Sequence, residues 1–482
     1  MKIRGTILYS SSEVKREARD MIVLAFPVVL ARLSQMSMGF IDTFMVAKLG
    51  PEALGAVGVG NAVYFFYVVF SFGTLAAVSP MVAQAYGAGD DKEIGRSVAQ
   101  GLWLVLGLTL VGIGIIWNTE SILLVAGQEK EVAALAGDYT YAMSWGLIAN
   151  LWFSLFRGFC DAVSRTRVAM VISFAAVVFN IVADYALIYG ELGMPALGAV
   201  GAGHATTIVR WLMLGLMLLY IFGTREFRRY RFLYRARIPR PRYMKKMLKL
   251  GLPIGATHSM GHGAFGVISL LMGTISTIAL AAHQVSIMLV ALAFMVPLGT
   301  SVAITTRVGQ GIGRGDPRGA ALAGWVGIGL GTLFMCTTAS IFVLIPEKLA
   351  TIFTDDPPVV AYATGLLVLA GAFQISDSVQ VLAIGALRGM KDTARPMITN
   401  LISYWLIGLP SGWFLAFEAG LEGQGLWWGI VIGLSVAATL HTLRFRKLVS
   451  NESKVRSRGS RVRGQESRSG VESQGSGVAD TE

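Results

Sequence analysis

Four aspartates sit where water is scarce. Asp42, Asp184 and Asp377 each fall inside a long apolar run, and Asp138 lies near the end of another. An ionisable side chain within lipid costs roughly 2.5–3.5 kcal/mol on insertion scales, so such residues mark ion or substrate pathways by default. Asn180 precedes Asp184 by one helical turn and shares its face. Carboxylate and amide oxygens are what a hard cation prefers. Two carboxylates brought together in a poor dielectric cannot both stay ionised, so the same pair could carry a proton instead. Either ion is compatible with these residues.

Asp377 lies in Gln374-Ile-Ser-Asp377-Ser-Val-Gln380, whose polar groups recur at helical spacing and are expected to line a cavity. Gln35, in the first apolar run, is assigned to the same cavity. His258 and His262 are one turn apart but have no evident third ligand, so cavity lining or a helix contact is expected rather than a metal pair. Cys160 and Cys336 offer neither a disulfide framework nor metal spacing. No Ser/His/Asp arrangement appears. Asn180-x-x-x-Asp184 weakly suggests a membrane-embedded prenyltransferase, but Asp90-Asp91 has no second acidic cluster to face across a diphosphate.

The elements that must carry these residues follow from composition. Of 482 residues, 54% are hydrophobic and 15% charged, with mean hydropathy +0.61. Soluble domains carry about 25% charged residues, so this chain cannot wet its own surface and needs lipid as solvent. Apolar runs fall at about 21–47, 54–84, 97–117, 132–156, 168–190, 198–222, 250–275, 279–306, 319–345, 359–387, 396–417 and 424–443. Each is long enough to cross a bilayer as a helix. The fold expected is an all-α membrane protein with about twelve transmembrane helices. The charged first twenty residues lack the pattern of a cleavable signal peptide, so the first span is expected to stay as an anchor.

Loop charge sets the orientation. One side holds Lys92 and Arg96; Arg157, Arg165 and Arg167; Arg307, Arg314 and Arg318; and Arg388, Lys391 and Arg395. It also holds the arginine- and lysine-rich stretch from Arg225 to Lys249. The other side is mostly acidic, through Glu120, Glu129, Glu131, Glu191, Asp355, Asp356, Glu418 and Glu422. The positive-inside rule puts the basic side and both termini in the cytoplasm, which an even number of spans requires. Topology and contact with anionic lipid thus account for the net charge of +12, and no nucleic-acid partner is expected. The expected division is a cytoplasmic segment 1–20, an N-lobe 21–223, a basic linker 224–249, a C-lobe 250–446 and a disordered tail 447–482.

The two lobes are copies. At an offset of 226, Pro27 falls on Pro253, Gly73-Thr74 on Gly299-Thr300, and Gln84, Gly87, Gly89 and Asp90 on Gln310, Gly313, Gly315 and Asp316. At an offset of 231, Arg157-Gly158-x-x-Asp161 matches Arg388-Gly389-x-x-Asp392. A parallel repeat of six spans relates two lobes that can rock about a central site. Within the first copy, Asp42 and Asp184 each lie about six residues from the outer end of their helix, roughly 9 Å deep at 1.5 Å per residue. Tyr139 and Thr206 lie about eight residues in from the same side. Five oxygen-bearing side chains therefore share one layer. Pro27 leaves a carbonyl unpaired in helix one, which is expected to bend near the cavity. Glycine-rich stretches such as 324–331 are read as close-packing helix surfaces.

The pattern Pro27, Ile41-Asp42-Thr43-x-Met45-Val46-Ala47-x-Leu49-Gly50 and Ala53-Leu54-Gly55-Ala56-Val57 resembles the multidrug and toxic compound extrusion (MATE) family. So do Ala281-Ala282-His283-Gln284-Val285 and the repeated Arg-Gly-x-x-Asp element, and the resemblance covers about residues 18–446. It implies an antiporter that expels cationic and amphipathic compounds in exchange for H⁺ or Na⁺, with two six-helix lobes forming a V around a central cavity. Similarity to the archaeal and DinF-like branch implies Asp42, Asn180, Asp184 and Thr206 as ion ligands, Na⁺ included, with Tyr139 and His258 in the cavity wall and Pro27 as the bending point. Asp377 is similar to the acid that other branches use in the C-lobe. The glutamate those branches carry on helix seven is missing from His258-Ser-Met-Gly261-His262, which favours the N-lobe as the coupling site. Cys160 stands where the first Arg-Gly element usually has glycine. The expected partners are small organic cations or amphipathic drugs and membrane lipid, with no cofactor beyond the coupling ion. A monomer in the plasma membrane is expected. The nearest rival within the superfamily is a flippase for lipid-linked oligosaccharides.

Overall fold

The computed structural model describes residues 9–236 and 238–475, with side chains through Asn451. Among the described residues all regular structure is helical. The first lobe comprises α1 (Ser11–Ala47), α2 (Pro51–Gly87), α3 (Asp91–Ile116), α4 (Lys130–Ser144 and Leu147–Ala162), α5 (Arg167–Tyr189) and α6 (Gly198–Gly223). The second comprises α7 (Pro241–Ile275), α8 (Thr277–Arg314), α9 (Pro317–Leu344), α10 (Pro357–Gly389), α11 (four consecutive segments from Ala394 to Glu418) and α12 (Glu422–Gly475). Nine of the described helices are long and apolar enough, by that measure alone, to cross a membrane. The other three runs have local reasons to differ. A turn at Trp145–Gly146 interrupts α4; His258, His262 and several glycines lower the hydropathy of α7; and α11 alternates between α and π geometry around Pro410.

The first turns are written in local sequence. Ser10 and Glu13 form a reciprocal capping box at the start of α1. Asp90 and Asp316, paired by the repeat, each accept from the backbone N–H three residues on, capping α3 and α9. Pro27 is buried within a helix that runs unbroken from Ser11 to Ala47.

Each lobe lends the first half of its first helix to the other. Met21, Leu24 and Ala25 of α1 share a core with Ala303, Ile304 and Val308 of α8 and Leu382 and Ala386 of α10. Met247 of α7 belongs to the first lobe's core. Glycine makes the crossing close: a Cβ at Gly73 would lie 2.6 Å from the Cα of Gly255, and one at Gly299 2.5 Å from a methyl of Val29. The two lobes therefore interlock at helices one and seven.

Polar contacts between lobes gather toward the basic side. Gln84 donates to the carbonyl of Gly389 at 2.9 Å. Its repeat partner Gln310 donates to the carbonyl of Ala162 at 2.9 Å. Arg307 reaches Glu17 and, at 3.2 Å, Asp20. Phe65 of α2 meets His262 of α7 edge-on, with ring centroids 5.4 Å apart, and farther along α1 and α2 a Cβ on Gly39, Gly55 or Gly58 would meet nothing within 4 Å.

The basic linker packs against the first lobe. Phe227, Tyr230 and Phe232 are buried against Phe156 and Phe159 of α4. Trp103 donates to the carbonyl of Ala236 at 2.7 Å, and Arg165 pairs with Glu226 at 2.6 Å. Its alternation of aromatics with arginines lets rings enter the lobe while the charges stay outside. Helix α7 also begins earlier than expected, because Pro241 occupies its first turn without losing a needed N–H. At the other end α12 continues as helix to Gly475, so the tail expected to be disordered from residue 447 begins as helix. Extending a formed helix costs far less than nucleating one. Residues 476–482 lie outside the described residues.

Candidate functional site

The outer half of the first lobe is assembled around α6. A Cβ on Gly201 would meet the carbonyl oxygen of Leu187 at 2.2 Å, and one on Gly203 would meet that of Tyr139 at 2.8 Å, so α5 and α4 both approach α6 at backbone distance. The hydroxyl of Tyr189 donates to the carbonyl of Met45 at 2.7 Å, which pins the end of α1 to α5. Asp42 lies one turn before that pin.

Asn180 joins the two acids. Its Nδ2 donates to Asp42 Oδ1 at 3.0 Å and to Asp184 Oδ2 at 2.8 Å, so both amide protons are spent on carboxylates. Thr206 Oγ1 stands 3.4 Å from Asp42 Oδ2, but its proton has a shorter path to the carbonyl of Ala202 at 2.9 Å. Asn180 Oδ1 and Asp184 Oδ1 are buried and accept from nothing. Asn180 and Asp184 are fully buried and Thr206 nearly so, while Asp42 keeps partial exposure. The site is an oxygen cage with two orphaned acceptors and one accessible carboxylate. A proton, or a hard cation such as Na⁺, supplies what it lacks. No cluster of three or more His, Cys, Asp or Glu side chains occurs among the described residues, so the cage depends on amide and hydroxyl oxygens.

Four of the five residues placed in one layer by sequence thus meet directly. Tyr139 does not join them. It is 1% exposed, and its hydroxyl contacts Asn61 Oδ1 of α2 at 3.3 Å. Asn61 is absent from the sequence reading, although a lone amide in the apolar stretch of α2 was a visible signal. Arg210, half-buried, donates to the hydroxyl of Tyr64 at 2.6 Å and lies over its ring.

In the second lobe the candidates spread out. Asp377 is buried without a hydrogen bond or ion pair among the described residues. Gln374 accepts from Thr338 at 2.8 Å. Gln380 is 2% exposed and turned toward Asn400, which also contacts His441 at 2.7 Å. Gln380 therefore faces the interior of its lobe in this conformation, and open cavity lining does not describe it. The reason is Asn400 on α11, whose acceptor draws both side chains inward. His258 accepts from Arg388 at 3.0 Å, and Gln35 accepts from Arg157 at 3.0 Å. Both keep partial exposure where the lobes meet. Pro27 is buried in that same region. Arg157 and Arg388 were counted as loop cations, but both lie within helices.

The MatE family model matches the chain twice, over residues 27–186 and 253–414. The two matches begin at Pro27 and Pro253, the pair that defines the internal offset. The chain is 39% identical over 436 residues to the probable multidrug resistance protein NorM of Rhizobium meliloti (strain 1021), covering 89% of this chain and 93% of that protein. It is 35% identical over 438 residues to the multidrug resistance protein MdtK of Edwardsiella ictaluri (strain 93-146), covering 90% and 96%. Among solved structures it is similar to the eukaryotic MATE transporter AtDTX14, with TM-score 0.82 and 22% identity over 92% of this chain and 99% of that one. It is also similar to an outward-facing multidrug resistance MATE transporter of the MOP superfamily, with TM-score 0.83 and 20% identity over 93% and 99%.

Proposed function

The chain belongs to the MATE family, and from that premise we propose that Asp42, Asn180, Asp184 and Thr206 bind the ion whose entry drives export. The protein is a multidrug efflux antiporter of the membrane, and its relatives are named as transporters. On this reading its cargo is cationic or amphipathic organic compounds, and the coupling ion is H⁺ or Na⁺. It acts as a monomer in the plasma membrane with its basic side and termini in the cytoplasm. The rival flippase reading finds no support in relatives named for multidrug resistance.

One observation carries the site assignment: a single amide bridges two carboxylates and leaves two buried oxygens without donors. Each unsatisfied buried acceptor costs about 1–3 kcal/mol, so a cation that satisfies both is bound firmly. Once it leaves, only the amide separates two carboxylates, and their repulsion acts on α1, which carries the more exposed of the two. Because the first half of α1 packs in the second lobe, displacement at Asp42 is felt across the lobe junction. Antiport needs such a lever, since ion occupancy must bias the two conformations to different extents.

The test is transport by purified protein in liposomes preloaded with a fluorescent amphipathic cation. Raising external Na⁺ alone, or lowering external pH alone, should release the dye; the gradient that works identifies the ion. Release by neither gradient would remove the antiport coupling.

A further inference from the structure

The linker backbone is clamped at one point on α3. Gln100 is fully buried; its Nε2 donates to the carbonyl of Ile238 at 3.1 Å, and its Oε1 accepts from the N–H of Arg240 at 2.7 Å. Pro239 and Pro241 stiffen the chain on either side of Arg240. Tyr243, in the first turn of α7, donates to Glu93 Oε1 at 2.8 Å and contacts Ser97 at 2.7 Å. These bonds hold Arg240 and Arg242 beside Arg96 around an open cleft of about 580 Å³, walled also by Pro239, Pro241 and Tyr243.

The cleft carries more positive charge than its surroundings balance. Glu93, beside it, is already committed: Oε2 pairs with Arg96 at 2.8 Å, and Oε1 accepts from Tyr243. Arg240 and Arg242 are exposed, and among the described residues neither lies within ion-pair distance of a carboxylate. Elsewhere on the linker Arg229 does have an acid, Asp91, at 3.6 Å.

Apolar surface begins where these cations end. Arg96, Trp103 and Leu110 recur every seven residues, on one face of α3. Trp103 donates to the linker carbonyl of Ala236 at 2.7 Å, and tryptophan is enriched at headgroup level in membrane proteins. Leu106 and Leu110, one and two turns further on, are both exposed, the second by 65%. At 1.5 Å per residue, guanidinium, indole and aliphatic surface succeed one another over about 21 Å. A phospholipid presents phosphate, glycerol and acyl chain in the same order, whereas a free phosphate has no use for the apolar strip.

We infer that Arg96, Arg240 and Arg242 bind the phosphodiester headgroup of an anionic phospholipid whose acyl chain lies along Leu106 and Leu110. Planar guanidinium donors match phosphate oxygens, and basic residues at a membrane surface draw anionic lipid. A choline headgroup is disfavoured, because its quaternary ammonium meets cations on three sides. The site depends on α3 spanning the bilayer and is independent of the ion cage in the outer half of the first lobe.

The test is native mass spectrometry of the full-length protein released from nanodiscs of equal phosphatidylcholine and phosphatidylglycerol. The wild type should retain phosphatidylglycerol in preference to phosphatidylcholine. Each of Arg96→Gln, Arg240→Gln and Arg242→Gln should lower that preference by about fivefold, and the triple variant should lose it. The triple lysine variant should keep most of it, and thermal unfolding of every variant checks folding; if the triple glutamine variant fails to fold, the single variants decide. Arg225→Gln with Arg228→Gln, exposed cations elsewhere on the linker, should leave retention unchanged. Equal retention by the wild type and the folded glutamine variants would overturn the site. So would an equal loss from the Arg225 and Arg228 variant, which would mean diffuse surface charge. If inorganic phosphate raises the unfolding temperature of the wild type but not of the triple glutamine variant, while lipid retention is the same in both, the cleft takes free phosphate and the lipid assignment fails.

Discussion

Asn180 spends both amide protons on carboxylates and has none left for its surroundings. Its own Oδ1, like Oδ1 of Asp184, is left for an ion to satisfy. Asp42→Asn and Asp184→Asn should each cut ion-driven dye release by more than about tenfold, since a charged partner worth roughly 1.5–3 kcal/mol is removed. Asp377→Asn should leave coupling in place and shift substrate preference only. Gradient-driven release measured for all three variants separates these outcomes, and full coupling in Asp42→Asn would remove it from the site. The acids were legible as charges in apolar runs, and Asn180 through its spacing from Asp184. Depth along a helix says nothing about direction around it, and the Tyr139 hydroxyl contacts Asn61. His283 shows a similar limit. Trp427 donates to its Nδ1 at 3.2 Å and Ser269 contacts its Nε2 at 3.0 Å, so a ring in a recognisable motif is occupied by its own lobe.

Among the elements, the linker between the lobes departs most from its sequence description. Its basic residues read as a tether, yet its aromatics hold it to α3 and α4. Gly95 lets the two meet, because a Cβ there would stand 1.9 Å from the carbonyl oxygen of Tyr230. Gly95→Ala should therefore lower stability by about 1–3 kcal/mol, the usual cost of forcing extra volume into a packed contact. The unfolding temperature followed by intrinsic fluorescence should fall, and an unchanged value would show the linker to be loosely attached. The helices were visible as apolar runs. The mixed geometry of α11 was not, because it depends on contact with α12. There Gly408 and Gly412 lie against Gly429 and Gly433. Composition records the glycines but not which of them face each other.

At the scale of the whole molecule, the repeat produces a latch. Gln84 and Gln310 occupy equivalent positions, and each donates across the junction to the end of the other lobe's Arg-Gly helix. Two such bonds at about 1 kcal/mol each favour closure of the basic side by roughly thirtyfold. The double variant Gln84→Ala, Gln310→Ala should populate the state open on that side. Spin labels at Lys92 and Arg395 would report it as a longer distance component in electron–electron resonance. A distribution identical to that of wild type would show the latch to be energetically silent.

The sequence alone determined the solvent, the number and order of the helices, the duplication and the residue types of the cage. All of these follow from apolar periodicity, charge placement and local capping, which act over short stretches of chain. Tertiary structure decided which polar groups share an atom's reach. It set Tyr139 against Asn61 and Gln380 against Asn400, and it packed the first half of α1 against α8 and α10 and Met247 of α7 into the first lobe's core. Those outcomes depend on rotation about helix axes and on backbone approach at particular glycines, which are set when distant segments pack.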